Sequence, residues 1–180
     1  VAAGTLRGAD QLVYGIEDIV RGCRLGVRSV LVADVGQLWV LRRMRDAGDL
    51  PPDLEFKASV SFPSSNPATA RLLAELGVTT INVPTDLTLA QIAAIRRAVD
   101  VPLDVYVEGA DDFGGVVRYY EVPDLVRVAA PVHLKFTVRN APGIYPSGHH
   151  LGPIAVSTAR ERVRRAAIGL SMLGRYYQEA

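Results

Sequence analysis

Apolar and polar positions alternate in two periods along this chain, and the periods take turns. Residues 27–34 (Val-Arg-Ser-Val-Leu-Val-Ala-Asp) read as a strand. Residues 36–47 switch to helical spacing, with Leu38, Leu41 and Met44 in phase, and Gly48 and Pro51-Pro52 stop that run. A strand follows over 54–62. Asn66 then has the character of an N-cap before Pro67, and the helix it opens runs to Gly77. Residues 78–83 predict a strand, and Thr88 caps a helix over 89–99. Strands over 103–108 and 132–138 flank a short helix at 122–129, and a last helix covers 156–177. A further strand over Gln11–Ile16 is the weakest of the set.

Strands separated by helices imply βαβ units, a parallel sheet and an α/β fold. Right-handed crossovers leave either a barrel or an open doubly wound sheet. Turns into strands are short, whereas the segments leaving strands are longer and polar, which fits a (β/α) barrel with its site at the strand carboxyl ends. A full barrel of this TIM type needs at least about 200 residues. The chain has 180 and five clear strands, so a partial or incomplete barrel is expected, one domain over 1–180. An unclosed sheet predicts free edges at 27–34 and 132–138, and with them a homo-oligomer or the remainder of a larger protein.

Three strands are two-faced. Phe56, Ala58, Val60 and Phe62 oppose Lys57, Ser59 and Ser61. Leu103, Val105 and Val107 oppose Asp104, Tyr106 and Glu108. Val132, Leu134 and Phe136 oppose His133, Lys135 and Thr137. Parallel strands are ordinarily apolar on both faces, so the polar face is either an ion-pair network, such as Lys57 with Asp104, or an exposed sheet face, or a pocket. The shared phase predicts Glu108, Lys135 and Ser61 on one side of the sheet, away from the helices.

Composition narrows the chemistry. Positive and negative side chains number 20 and 19, so no global basic field favours nucleic acid. Only two lysines occur, Lys57 and Lys135, against 18 arginines. A lysine can serve as base or Schiff-base nucleophile; the plainer role for Lys135 is a buried cation pairing Glu108. Cys23 is the only cysteine, which excludes an internal disulfide or a protein-held iron–sulfur cluster from this chain alone. His149-His150 could join a divalent metal site with carboxylates from strand ends, although a solvated loop pair is the more economical reading. Gly114-Gly115 and the arginines at 160, 162, 164 and 165 are weak pointers to phosphate and RNA. No apolar run approaches the about 18 residues of a membrane span, and no signal-peptide core opens the chain. A cytoplasmic protein without membrane contact is the expectation, or a fragment, since the first residue is not Met.

With these loops the chain resembles the U32 peptidase family, the collagenase-like peptidases. The matching stretches, in order, are SVLVADVGQLWVLRRM, then FKASVSFPSSNPATARLLAELGVTTINVPTDLTLAQIAAIRR, LDVYVEGA and HLKFTVR. GADQLVYG near residue 8 is a fainter echo of the family's opening strand. The resemblance spans about 26–139 and implies a barrel and a peptidase-like hydrolase with a small-molecule or peptide substrate. Carried over residue by residue, it points to Ser59, Asn66, Lys135 and Arg139. The family's histidine before Gly-Ala is Glu108 here, the arginine after its third matched strand corresponds to Thr85, and the cysteine cluster of its iron–sulfur branches is absent. The expected site places Glu108 as general acid/base, Lys135 as electrostatic or nucleophilic group and Arg139 as anion clamp, with Asp34, Ser61, Asn82 and Tyr106 orienting substrate. The alternative is a non-catalytic barrel subunit or binding module that docks on a partner chain.

Overall fold

The computed structural model describes residues 5–62, 64–144 and 148–177. Eleven regular elements among them run α1 (Gly8–Arg24), β1 (Ser29–Val32), α2 (Val35–Ala47), β2 (Glu55–Ala58), α3 (Pro67–Glu75), β3 (Thr80–Asn82), α4 (Leu89–Arg96), β4 (Leu103–Glu108), α5 (Val122–Ala129), β5 (Val132–Phe136) and α6 (Gly152–Tyr176). The predicted punctuation is in place. Asn66 accepts from the Thr69 amide, Thr88 and Gln91 form a reciprocal capping box, and Gly48 takes the left-handed conformation that ends α2.

The five strands form one parallel sheet in the order β1-β2-β3-β4-β5. Sequential order without a reversal excludes the doubly wound alternative. Right-handed crossovers then put every connecting helix on the same face. A row of paired residues crosses the sheet on that face: Val32, Ala58, Ile81, Leu103 and Val132. The first four are buried, and with Phe56, Leu38, Leu41, Ile92, Ile95 and Leu125 they make the core against the helices. The sheet does not close, and β1 and β5 are its edges.

Three expectations need correction. Residues 11–16 are not a strand but lie inside α1. Ile16, Ile19, Val20 and Cys23 recur at helical spacing and pack on the core, and this longer period overrides the short alternation around Leu12 to Tyr14. The strand read over 54–62 stops at Ala58, because the chain turns after Ser59: the Phe62 amide donates to the Ser59 carbonyl, and the Ser64 amide to that of Phe62. The last helix begins at Gly152, four residues early, with Pro153 in its first turn where a missing N–H costs nothing.

Candidate functional site

On the face of the sheet opposite the helices, a polar cluster forms around Asp104, which is buried at the start of β4. His133, its register partner on β5, brings Nδ1 to 2.7 Å from Oδ1. Lys57 of β2 lies 3.4 Å from Oδ2, and Lys135 of β5 reaches the same oxygen at 3.9 Å. The Lys135 ammonium donates to Asn82 Oδ1 at 2.5 Å and stands 4.6 Å from the centre of the Tyr106 ring. Asn82 is itself fixed, since its Nδ2 donates to the Ala58 carbonyl at 2.7 Å. Tyr106 pairs with Lys135 in register and stacks on Phe113 at 6.1 Å. Strand alternation carries all six side chains to this face, and each hangs from a β-strand whose backbone is tied into the ladder.

Two lysines and a histidine surround a single carboxylate, so the cluster carries a surplus of positive charge. Among the described residues every buried side-chain nitrogen and oxygen has a partner. The predicted Lys57–Asp104 pair is present, and it is part of this larger assembly.

Glu108 does not belong to it. The ladder slips between Tyr106 and Glu108, so that Glu108 pairs with Phe136 instead of the residue after it. The slip adds one residue to β4 and turns Glu108 to the helix face, reversing the predicted alternation. The segment after β4 causes it by folding back: Gly109 donates to the Val116 carbonyl, Arg118 donates to that of Val107, and Glu108 bridges Val117 in antiparallel sense. Glu108 is fully buried and receives Tyr119 Oη at 2.6 Å, the Arg139 amide at 3.1 Å and Arg165 Nη1 at 2.7 Å. Burial pushes its carboxyl up. The bonds from Tyr119, the Arg139 amide and Arg165, with the Arg165 charge, outweigh that and hold it below the ordinary Glu value. Burial first, then the bond to Glu108, pushes the Tyr119 hydroxyl up to about 12. An ionised carboxylate saturated in this way is a strut between β4 and α6. The expected Glu108–Lys135 pair is not formed, and the two residues lie on opposite faces.

The remaining candidates are dispersed. Arg139 sits with Glu108, its Nε 2.9 Å from Asp111 Oδ1, so its charge is already balanced by a neighbouring carboxylate. Ser61 lies in the exposed turn after β2, where its amide donates to Ser59 Oγ, and it does not reach the polar face. Ser59 is buried beside it, and Asn66 serves as the α3 cap. Asp34 caps α2, accepting from the Gln37 amide at 2.7 Å and from the Leu6 amide at 3.1 Å. Asp34→Ala is expected to lower stability by about 1 kcal/mol, read as a shift of the urea midpoint; an unchanged midpoint would remove the cap as its role.

The Gly114-Gly115 amides are spent on the Asp111 and Ala110 carbonyls, which leaves no anion nest there. Arg164 and Arg165 are both held by Glu161, whose carboxyl these bonds lower to about 2. His149 and His150 are exposed, and among the described residues no group of three or more His, Cys, Asp or Glu could hold a metal ion. No helix among the described residues is long and apolar enough to cross a membrane. The role of Tyr119 and Arg165 was out of reach of sequence reasoning, because Arg165 meets Glu108 across 57 residues with no local spacing to signal it.

A model of peptidase family U32 matches residues 4–113. The chain belongs to peptidase family U32. The matched stretch holds β1 to β4, with Lys57, Asn82, Asp104 and Tyr106, and ends before His133 and Lys135. Two solved structures are similar. The U32 peptidase Mk0906 is 24% identical over 56% of this chain and 38% of its own, with a TM-score of 0.42. The BexX/CysO complex of Amycolatopsis orientalis is 19% identical over 91% of this chain and 64% of its own, with a TM-score of 0.44. The chain therefore spans less than two thirds of the length of either. No curated protein matches it.

Proposed function

We propose that this U32 chain is a peptidase-like hydrolase whose peptide or small-molecule substrate binds on the polar face of an incomplete (β/α) barrel. Membership of the family supports the reaction class. The observation that carries the site is Lys135: an ammonium on a rigid strand, located by Asn82 and the Tyr106 ring, and one third exposed. A fixed, partly exposed cation can polarise a substrate carbonyl and stabilise the oxyanion that forms on it. Asp104 and His133 beside it form a carboxylate–imidazole pair, whose Nδ1 contact fixes the ring and leaves the outer nitrogen toward solvent.

The test is hydrolysis of fluorogenic peptide pools and labelled gelatin. Lys135→Met is expected to lower kcat roughly a hundredfold, the size of losing one oxyanion donor, with Lys135→Arg retaining part of it. Equal turnover by wild type and Lys135→Met would refute the site.

The unpaired edges of β1 and β5 favour a second reading, a binding module completed by another chain or by the rest of a larger protein. Light scattering across a concentration series distinguishes them: a persistent monomer that turns over peptide excludes the module, and an inactive oligomer supports it.

A further inference from the structure

We propose that Lys135 is an amine nucleophile that forms an imine with a small carbonyl compound carrying an acidic group, of the 2-oxo acid class. The first observation is where the chain spends its lysines. Of 20 Lys and Arg residues only two are lysine, and both stand in the cluster on the polar face. Away from this face the ion pairs to carboxylates use arginine: Arg42 with Asp46, Arg118 with Glu121, Arg139 with Asp111, Arg165 with Glu108. Arginine does not give up its proton in proteins. Lysine can, and then it is a nucleophile.

The second observation separates the two lysines. Asp104 gives Oδ1 to His133, and its Oδ2 is closer to Lys57, at 3.4 Å, than to Lys135, at 3.9 Å. Lys57 is thus the counter-ion of the buried carboxylate. The short bond of Lys135 goes to a neutral amide oxygen, Asn82 Oδ1 at 2.5 Å, which can accept an N–H from the amine as well as, more strongly, from the ammonium. The Tyr106 ring holds the ammonium form, and the bond to Asn82 positions the Lys135 nitrogen once the proton has left. The acidic group on the ligand follows from the charge balance before and after the step: the Lys135 ammonium, or the protonated imine it becomes, stands with Lys57 against the single Asp104 carboxylate.

The step balances without an oxidant or a second substrate. The neutral Nζ adds to the carbonyl carbon, forming the C–N bond, while the C=O π pair moves to oxygen and takes up a proton as the nitrogen loses one. The carbinolamine then loses its hydroxyl group with a proton as water, which leaves C=N. His133, exposed and tethered through Nδ1 to Asp104, is the group of the cluster suited to carry those protons.

The chain supplies its own control. The Lys57 and Lys135 side chains are 30% and 32% exposed, so access alone predicts equal labelling. The protein is incubated with glyoxylate and cyanoborohydride, which reduces an imine to a stable carboxymethyl-lysine, and sites are read by peptide mass mapping with the N-terminal amine scored separately. Lys135 is expected to label about tenfold faster than Lys57, as a positioned nucleophile should. The ratio should be larger for glyoxylate than for acetaldehyde, and Lys135→Arg should lose the adduct with no gain at Lys57. Equal rates at Lys57, Lys135 and the N-terminus would overturn the proposal, and a ratio higher for acetaldehyde would overturn the acidic ligand class. The adduct is read without peptide turnover, so the result is independent of the hydrolase reading.

Discussion

Glu108→Ala is expected to destabilise the fold by roughly 3 kcal/mol, the cost of breaking a buried ion pair from one side. The carboxylate is fully buried and holds three elements at once: Tyr119 before α5, the Arg139 amide after β5, and Arg165 of α6. Alanine leaves the Tyr119 hydroxyl and the Arg139 amide without their acceptor and empties the space between them. Arg165 keeps Glu161 at 2.6 Å, which places the loss at the lower end for such pairs. Urea denaturation of wild type and variant reads the difference, and a variant as stable as wild type would show the strut to be dispensable. Acid adds a signature. The folded carboxyl lies below its ordinary value of 4.5, so its contribution is complete above that value and disappears as pH falls through the folded one. The stability gap between wild type and Glu108→Gln should therefore be flat near neutrality and shrink in acid.

Gly169→Ala should destabilise despite replacing glycine within a long helix. Gly169 is the one residue of α6 that is buried, and a Cβ there would come within 2.4 Å of Phe136 Cζ and 2.6 Å of Cε1. The Phe136 ring is packed on this glycine and also meets the Tyr119 ring at 6.0 Å, so its freedom to withdraw is limited. Overpacking costs about 1–3 kcal/mol, against about 1 kcal/mol that alanine gains over glycine in a helix. The net loss, read from thermal or urea unfolding, should be recovered in part by Phe136→Leu in the same chain. If Gly169→Ala proved stabilising on its own, α6 would have to sit further from β5 than the contact implies.

What could be read ahead of the structure follows a physical divide. Caps act locally, so Asn66, Thr88 and Gly48 announced their helix ends. The two-faced strands likewise exposed Lys57, Asp104, His133 and Lys135 as one surface, because alternation is a property of a single strand. Glu108 broke the pattern at a point where a returning loop, not the strand's own sequence, sets the ladder. One slipped residue moved it to the opposite face, and with it Arg139 left the expected site. Ser61 lies in a turn braced by its amide's bond to Ser59 Oγ and by the Phe62 amide on the Ser59 carbonyl, which periodicity does not see. The helical stretch over 11–16 resembles a strand for a different cause: a six-residue window cannot separate the two periods, whereas the longer run to Cys23 can.

The sequential strand order also bears on how the chain comes together in time. Each strand pairs with the one before it at a separation of roughly two to three dozen residues, and none waits for a partner from the far end of the chain. The sheet can then assemble by accretion, each βαβ unit docking on the edge left by its predecessor as synthesis proceeds. Such growth has no closing event of its own. Its last edge, β5, is left as a template on which further strands could be laid down.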